Sequence, residues 1–160
     1  HGQHNMITIL INGRIKDSVK VEQYMFSLMK ELKIHRFKNK LIQLNVVTRL
    51  ENIYGNGWGC ANNGVAEINI ARWIGKERVT YDLMMQTIAH EMVHVKQYAR
   101  REMNDWQYKE VYYKWKGTYV PDSTDYWDLP WEIEANGREV GLFIRWAQQY
   151  GWAGKEWTQI

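Results

Sequence analysis

Cysteine occurs once in the chain, at Cys60. A lone thiol closes no internal disulfide, so the fold does without covalent staples, and a reducing, cytoplasmic setting is expected. Cys60 stands among glycines and asparagines with no second cysteine to complete a metal knuckle, and it reads as structural rather than catalytic. Proline occurs twice, at Pro121 and Pro130. No apolar run approaches the about 20 residues of a membrane span, which argues against a transmembrane protein. No secretory leader is visible. The formal net charge is only +3, and without a basic tail or run this is a weak incentive to bind nucleic acid. Internal repeats and low-complexity tracts are absent. The segment His1–Asn5 precedes Met6 and reads as appended residues, so His1 and His4 are set aside and residues 6–160 are expected to form one domain.

What is present is aromatic. The 160 residues include nine tryptophans and ten tyrosines, within an otherwise ordinary mixture of 45% hydrophobic and 24% charged residues. Such rings build a core or meet a partner. The length suffices for a core of its own.

The chain alternates between two periodicities. Met6 to Ile11 reads as a strand ended by the Asn12-Gly13 turn pair. Ser18 is a plausible cap for a helix to about Ile34, with Val21, Met25, Leu28, Met29 and Leu32 as its apolar stripe. Leu41 to Leu50 and Val65 to Arg72 alternate and are rich in β-branched residues, as strands are. The glycine- and asparagine-rich residues 51–64 between them read as a loop or a wide hairpin. A second helix is expected from Thr80 to about Arg101, with Met84, Met85, Ile88, Met92, Val95 and Ala99 on one side and His90 and His94 on the other. Helical character is expected around Trp106 to Trp115. A third helix opens near Trp131 and runs to about Tyr150, with Val140, Phe143, Ala147 and Tyr150 as its stripe and Gly151 as its stop. The fold class implied is α+β: a small mixed or antiparallel sheet of three or four strands packed on three main helices.

The chemistry concentrates in His90-Glu91-Met92-Val93-His94, an H-E-x-x-H pattern. On a helix, positions i and i+4 project both imidazoles to one side. That spacing suits two ligands of a tetrahedral Zn²⁺ at about 2.0–2.1 Å. A catalytic zinc keeps one position open for water and lowers its pKa to about 7, and Glu91 stands where it can take the proton. The bland alternative is a helix that carries two capped or exposed histidines.

A catalytic zinc usually takes a third protein ligand. His35, in the polar stretch after the first helix, is the only histidine left. The acids that open the third helix, Glu132 and Glu134, are better placed. Two residues apart on a regular helix, they point about 200° from one another, so both cannot reach one ion. Glu134 is the favoured candidate and Glu132 the alternative. Gly137 and Gly141, at i+3 and i+7 from Glu134, would let this helix approach the zinc helix closely. A solvated first-turn acid favoured by the helix dipole is the competing reading of Glu134.

The H-E-x-x-H helix followed by Glu134 in Glu-x-Glu-Ala-Asn resembles the gluzincin metallopeptidases. Compact relatives in that resemblance are the minigluzincins and small phage or bacterial zincin-like proteins, the ImmA/IrrE-type proteases among them. It covers roughly residues 65 to 147. It implies a zincin-like fold, one catalytic Zn²⁺ held by His90, His94 and Glu134, Glu91 as general base, and a peptide or protein substrate. It also implies β-strand addition of the substrate beside the zinc helix, which places Ala66, Glu67, Ile68 and Asn69 at the cleft. If phage-encoded, the protein would work in the host cytoplasm. The metzincin pattern is excluded, because Gln97 holds its glycine position and no third histidine follows.

Other roles stay open. An oxyanion donor is needed, and Tyr126, Tyr119 or Tyr98 are candidates that the sequence does not rank firmly; each also reads as packing. Glu139 and Asp82 are candidates to hold the histidines from behind. A silent zinc domain that binds a protein is a second functional class. A SprT-like nucleic-acid-associated protease is a third, motivated by Lys96, Arg100, Arg101, Lys109, Lys114 and Lys116 among aromatics. A solvated, mildly basic face is the plainer reading of that set.

Overall fold

Three helices and three small sheets make an α+β chain, described by a computed structural model over residues 7–36, 41–59, 64–108 and 110–151, side chains of 58, 59, 105–108 and 110–112 excepted. The expected appended segment, Met6, Cys60 and Lys109 lie outside the described residues.

The main sheet has the order β1-β2-β4-β3, from β1 (Thr8–Asn12), β2 (Leu41–Val47), β3 (Gly55–Gly59) and β4 (Val65–Ala71). β1, β2 and β4 run parallel, and β3 joins antiparallel to β4 at one edge. A parallel neighbour requires a crossover, and α1 (Ser18–Glu31) supplies the one between β1 and β2. Alternation decides the faces. Ile42, Leu44, Val46, Ala66, Ile68 and Ile70 enter the core, whereas Gln43, Asn45, Glu67 and Asn69 point the other way and are half-buried.

Residues 51–64 therefore hold a strand as well as a loop, and this overturns one placement. β4 pairs on both sides, with β2 and with β3, so Ala66, Glu67, Ile68 and Asn69 offer no free edge. The edge position belongs to β3.

α2 (Tyr81–Ala99) is the centre of the fold, touching α1, α3, β3, β4 and a strand of the third sheet. The expected stripe Met84, Met85, Ile88, Met92 and Val95 is buried, and so are Glu91, Val93, His94, Lys96 and Gln97. The histidine side is thus partly covered, because α3 (Pro130–Gln149) packs along it and leaves only a cleft beside His90 and His94. Tyr24 of α1 links the three helices. Its hydroxyl donates to the Met85 carbonyl at 2.8 Å, and its ring lies 4.8 Å from that of Trp146 and 6.2 Å from that of Phe143.

α3 is rotated relative to expectation. Trp131, Ala135, Leu142, Phe143, Trp146 and Ala147 are buried, while Val140 and Tyr150 are exposed. Gly137 and Gly141 face open space, since a Cβ at either position would meet nothing within 4 Å. Close approach of the helices does not rest on these glycines.

The expected helical character around 106–115 is also overturned. β7 (Met103–Tyr108), β8 (Glu110–Trp115) and β9 (Thr118–Val120) form an antiparallel meander. Rings and β-branched side chains favour a pleated surface over a helix. Trp131 packs against this sheet, 5.3 Å from the ring of Tyr113 and 6.4 Å from that of Trp115. A two-stranded hairpin, β5 (Trp73–Ile74) with β6 (Glu77–Arg78), precedes α2. No helix among the described residues is long and apolar enough to cross a membrane.

Candidate metal centre

His90 and His94 lie one turn apart on α2, their ring centres separated by 4.9 Å and their Nε2 atoms by 3.2 Å. Ligand atoms of His90, Glu91 and His94 all lie within 4.8 Å of one another, a grouping able to hold a metal ion. A fourth residue stands closer still. Oε1 of Glu132 is 3.0 Å from His90 Nε2 and 3.1 Å from His94 Nε2. The carboxylate between the imidazoles is that of Glu132.

Glu134 is engaged elsewhere. Its Oε2 receives the Lys96 ammonium at 2.6 Å, and its Oε1 accepts from Gln97 Nε2 at 2.9 Å. The placement of Glu134 at the histidines is therefore corrected in favour of Glu132. Both acids reach α2, one turn of that helix apart. Only one of the two meets the histidines, as expected, but it is Glu132, and the two side chains do not point to opposite sides of α3. The residues on the histidine side are Glu132, Asn136 and Glu139, at i, i+4 and i+7, next to the buried Ala135. That polar stripe was the available signal.

Gln97 is a site residue that sequence reasoning passed over. It is fully buried. Its Nε2 donates to the Trp131 carbonyl and to Glu134, both at 2.9 Å. Those two acceptors fix the amide, so its carbonyl oxygen faces His94 Nδ1 at 2.8 Å. An oxygen there demands a proton on Nδ1. In the neutral ring the lone pair then sits on His94 Nε2, the atom that faces Glu132 and His90; in the protonated ring the same atom donates to Glu132. On the other imidazole, Nδ1 lies 3.5 Å from Glu139 Oε1, the position expected of an acid behind a ligand. Asp82 lies two turns earlier, in the first turn of α2.

The electrostatics follow from this convergence. Two imidazole nitrogens and a carboxylate oxygen crowd one spot, and their lone pairs repel unless a positive charge lies among them. Burial is the largest single influence and favours neutral imidazoles at His90 and His94, but the hydrogen bonds to Glu132 together with the charges of Glu91 and Glu132 move both above the ordinary histidine value. Burial opposes ionisation of Glu132, yet bonds to the same histidines hold its pKa down at about 2. The cluster attracts cations. Its donor set, two nitrogens and one carboxylate oxygen, fits a divalent metal ion.

Glu91 differs from its neighbours. Burial raises its carboxyl above the ordinary range, with His94 and His90 pulling the other way. Its Oε2 is buried and has no hydrogen-bond partner among the described residues.

An open cleft of about 760 Å³ runs past these groups. The edge strand β3 forms one wall, through Gly55, Asn56 and Gly57. A Cβ at Gly55 would stand 2.5 Å from Thr87 Cγ2, and one at Gly57 would stand 3.5 Å from Glu91 Cβ. Glycine at position 55 lets the strand lie directly on the histidine helix, and a side chain at 57 would reach ordinary contact with Glu91. Across the cleft stand Tyr126 and the exposed Trp127. The Tyr126 hydroxyl donates to Glu132 Oε1 at 3.2 Å and accepts from Asn136 Nδ2 at 3.3 Å.

The chain matches no protein-family model, no curated protein and no solved structure. What the centre can do follows from its own geometry.

The remaining candidates are dispersed. Tyr119 is exposed with the Lys114 ammonium 5.2 Å from its ring centre, and neither it nor Tyr98 lines the cleft. His35 is exposed and remote from the centre. Of the basic set, Lys96 is buried between Glu134 and Glu102, at 2.6 and 2.7 Å. Lys116 faces Glu102 at 3.9 Å, and Arg100 donates to the Lys33 carbonyl.

Proposed function

We propose that this protein is a zinc-dependent peptidase of the gluzincin kind, with His90, His94 and Glu132 as metal ligands and Glu91 as general base. The observation that carries the reading is the triangle formed by the two Nε2 atoms and Glu132 Oε1, with edges of 3.0, 3.1 and 3.2 Å. Ligand atoms around a tetrahedral ion with bonds of about 2.0–2.1 Å stand about 3.3–3.4 Å apart. Zinc is the divalent ion this mixture of imidazole and carboxylate suits best, with three protein ligands and one open position.

When bound, zinc would supply Lewis-acid polarisation of the scissile carbonyl and a lowered pKa for water. The protein does the rest. Glu91, raised by burial and unpartnered at Oε2, takes a proton from the attacking water and passes it to the leaving amine. Tyr126, one hydroxyl from Glu132, lies where it can donate to the oxygen that gains charge. The free edge of β3 offers backbone groups to an extended peptide, and its glycines bring that peptide over Glu91. The single cysteine suits a reducing compartment such as the cytoplasm.

The test combines a metal assay with digestion of a peptide library. One zinc per chain, cleavage by the wild type, and a loss of order 10²–10⁴-fold in Glu91→Gln at unchanged zinc content are expected, as for loss of an essential general base. A protein that binds stoichiometric zinc and cuts nothing would be a silent zinc domain. Full activity in zinc-loaded Glu91→Gln would remove the mechanism.

A further inference from the structure

Four asparagines, one from each strand of the main sheet, stand in register. Asn12 is opposite Asn45, Asn45 opposite Asn69, and Asn69 opposite Asn56. They occupy the sheet face turned away from the helices, since Ile68 and Ile70 on either side of Asn69 enter the core. Their amides bond in one direction. Asn12 Nδ2 donates to Asn45 Oδ1 at 3.0 Å, Asn45 Nδ2 to Asn69 Oδ1 at 2.9 Å, and Asn69 Nδ2 to Asn56 Oδ1 at 2.9 Å. Asn45 is saturated by a further bond from Gln43 and another to Glu67. The row ends on the edge strand at Asn56. Its oxygen is used, and its Nδ2 meets no acceptor among the described residues. Aligned amides polarise one another, which strengthens the terminal donor.

The backbone sets what this donor can meet. Ala71 N donates to the Tyr54 carbonyl across the β3–β4 pair. Antiparallel ladders alternate, so Asn56 and Asn69 are again a hydrogen-bonded pair, and Gly55 and Gly57 turn their N–H and C=O groups to the free side. An antiparallel peptide on that side bonds to Gly55 and Gly57. Its residue opposite Asn56 then occupies a non-hydrogen-bonded position, with Cα atoms about 4.5 Å apart and side chains at their closest. That side chain lies on the asparagine face.

We propose that Asn56 is a specificity-determining residue, selecting a peptide whose side chain at the facing position is a hydrogen-bond acceptor, a carboxamide or a carboxylate. The substrate side chain becomes a fifth rung on the asparagine row. This inference rests on the peptidase reading, because it requires a peptide along β3.

The experiment is digestion of a randomised peptide library by the zinc-loaded protein, with cleavage sites read by mass spectrometry. The wild type is expected to enrich Asn, Gln, Asp or Glu about three- to tenfold at one position, the worth of one net hydrogen bond. Asn56→Asp keeps an oxygen for Asn69 but presents a second oxygen outward, so the preference at that position turns to Lys and Arg. Asn56→Ser, too short to reach, loses the preference, and unchanged thermal unfolding of both variants shows that the sheet is intact. A wild type without acceptor preference at any position, or an Asn56→Asp profile identical to wild type, overturns the inference while leaving the peptidase reading in place. A wild type that cleaves no peptide ends both.

Discussion

Replacing Gln97 by leucine would test the centre from behind. The side chain is fully buried and makes three hydrogen bonds, to His94 Nδ1, the Trp131 carbonyl and Glu134. Leucine fills the volume and makes none of them. Losing a partner that orients a metal-bound imidazole typically costs 10–100-fold in affinity, about 1.4–2.7 kcal/mol. Folding suffers separately. Glu134 keeps Lys96 and the Trp131 carbonyl keeps its place in the helical ladder of α3, but the His94 N–H is stranded, at about 1–3 kcal/mol. Against a total stability of about 5–15 kcal/mol that is a large fraction. Zinc affinity by competition with a chromophoric chelator, beside thermal unfolding with and without metal, separates the two effects. The metal-free variant should unfold earlier, and the stabilisation that zinc confers should shrink by the same 1.4–2.7 kcal/mol or so. Zinc affinity within about twofold of wild type, below the range for such partners, would refute the claim that Gln97 fixes the His94 tautomer.

Three other outcomes follow from the same geometry. Glu132→Gln should weaken zinc binding by more than about 100-fold, beyond the range for a residue behind the ligands, whereas Glu134→Gln should leave it within about twofold; the same chelator competition checks both, and equal losses would return the third-ligand question to Glu134. Gly55→Ala places a Cβ 2.5 Å from Thr87 Cγ2 and 3.0 Å from the Asn69 carbonyl oxygen, so calorimetry should show a loss of about 1–3 kcal/mol, or about 2–4 °C of Tm per kcal/mol. Tyr126→Phe removes the donor beside Glu132, and steady-state kinetics should show kcat down about 10²–10³-fold with KM little changed.

The histidine pair was legible because two facts coincide in one segment: an i, i+4 spacing and a strong apolar stripe that fixes the helix. The third acid was not legible, because its identity depends on how α3 is rotated. That rotation is set by Trp131 packing on Tyr113 and Trp115 and by Ala135 against the core, partners that lie in a sheet mistaken for a helix. β3 was legible only as one of two readings of residues 51–64, the hairpin rather than the loop. Its glycines carry no strand propensity of their own, and they form a strand because β4 and α2 leave room for nothing larger at Gly55. Gln97 was invisible because a buried amide announces nothing until its three partners are in place.

α2 packs against α1, α3, β3 and β4 and is left open only along the cleft, and this shapes how the protein would fail. Segments enclosed in this way exchange their amide hydrogens only in the rarest openings, those that unfold the whole chain. The reactive groups are therefore carried on the last element to come apart. Heating should leave the chemistry intact until the molecule as a whole gives way, with no loosened, half-competent form in between.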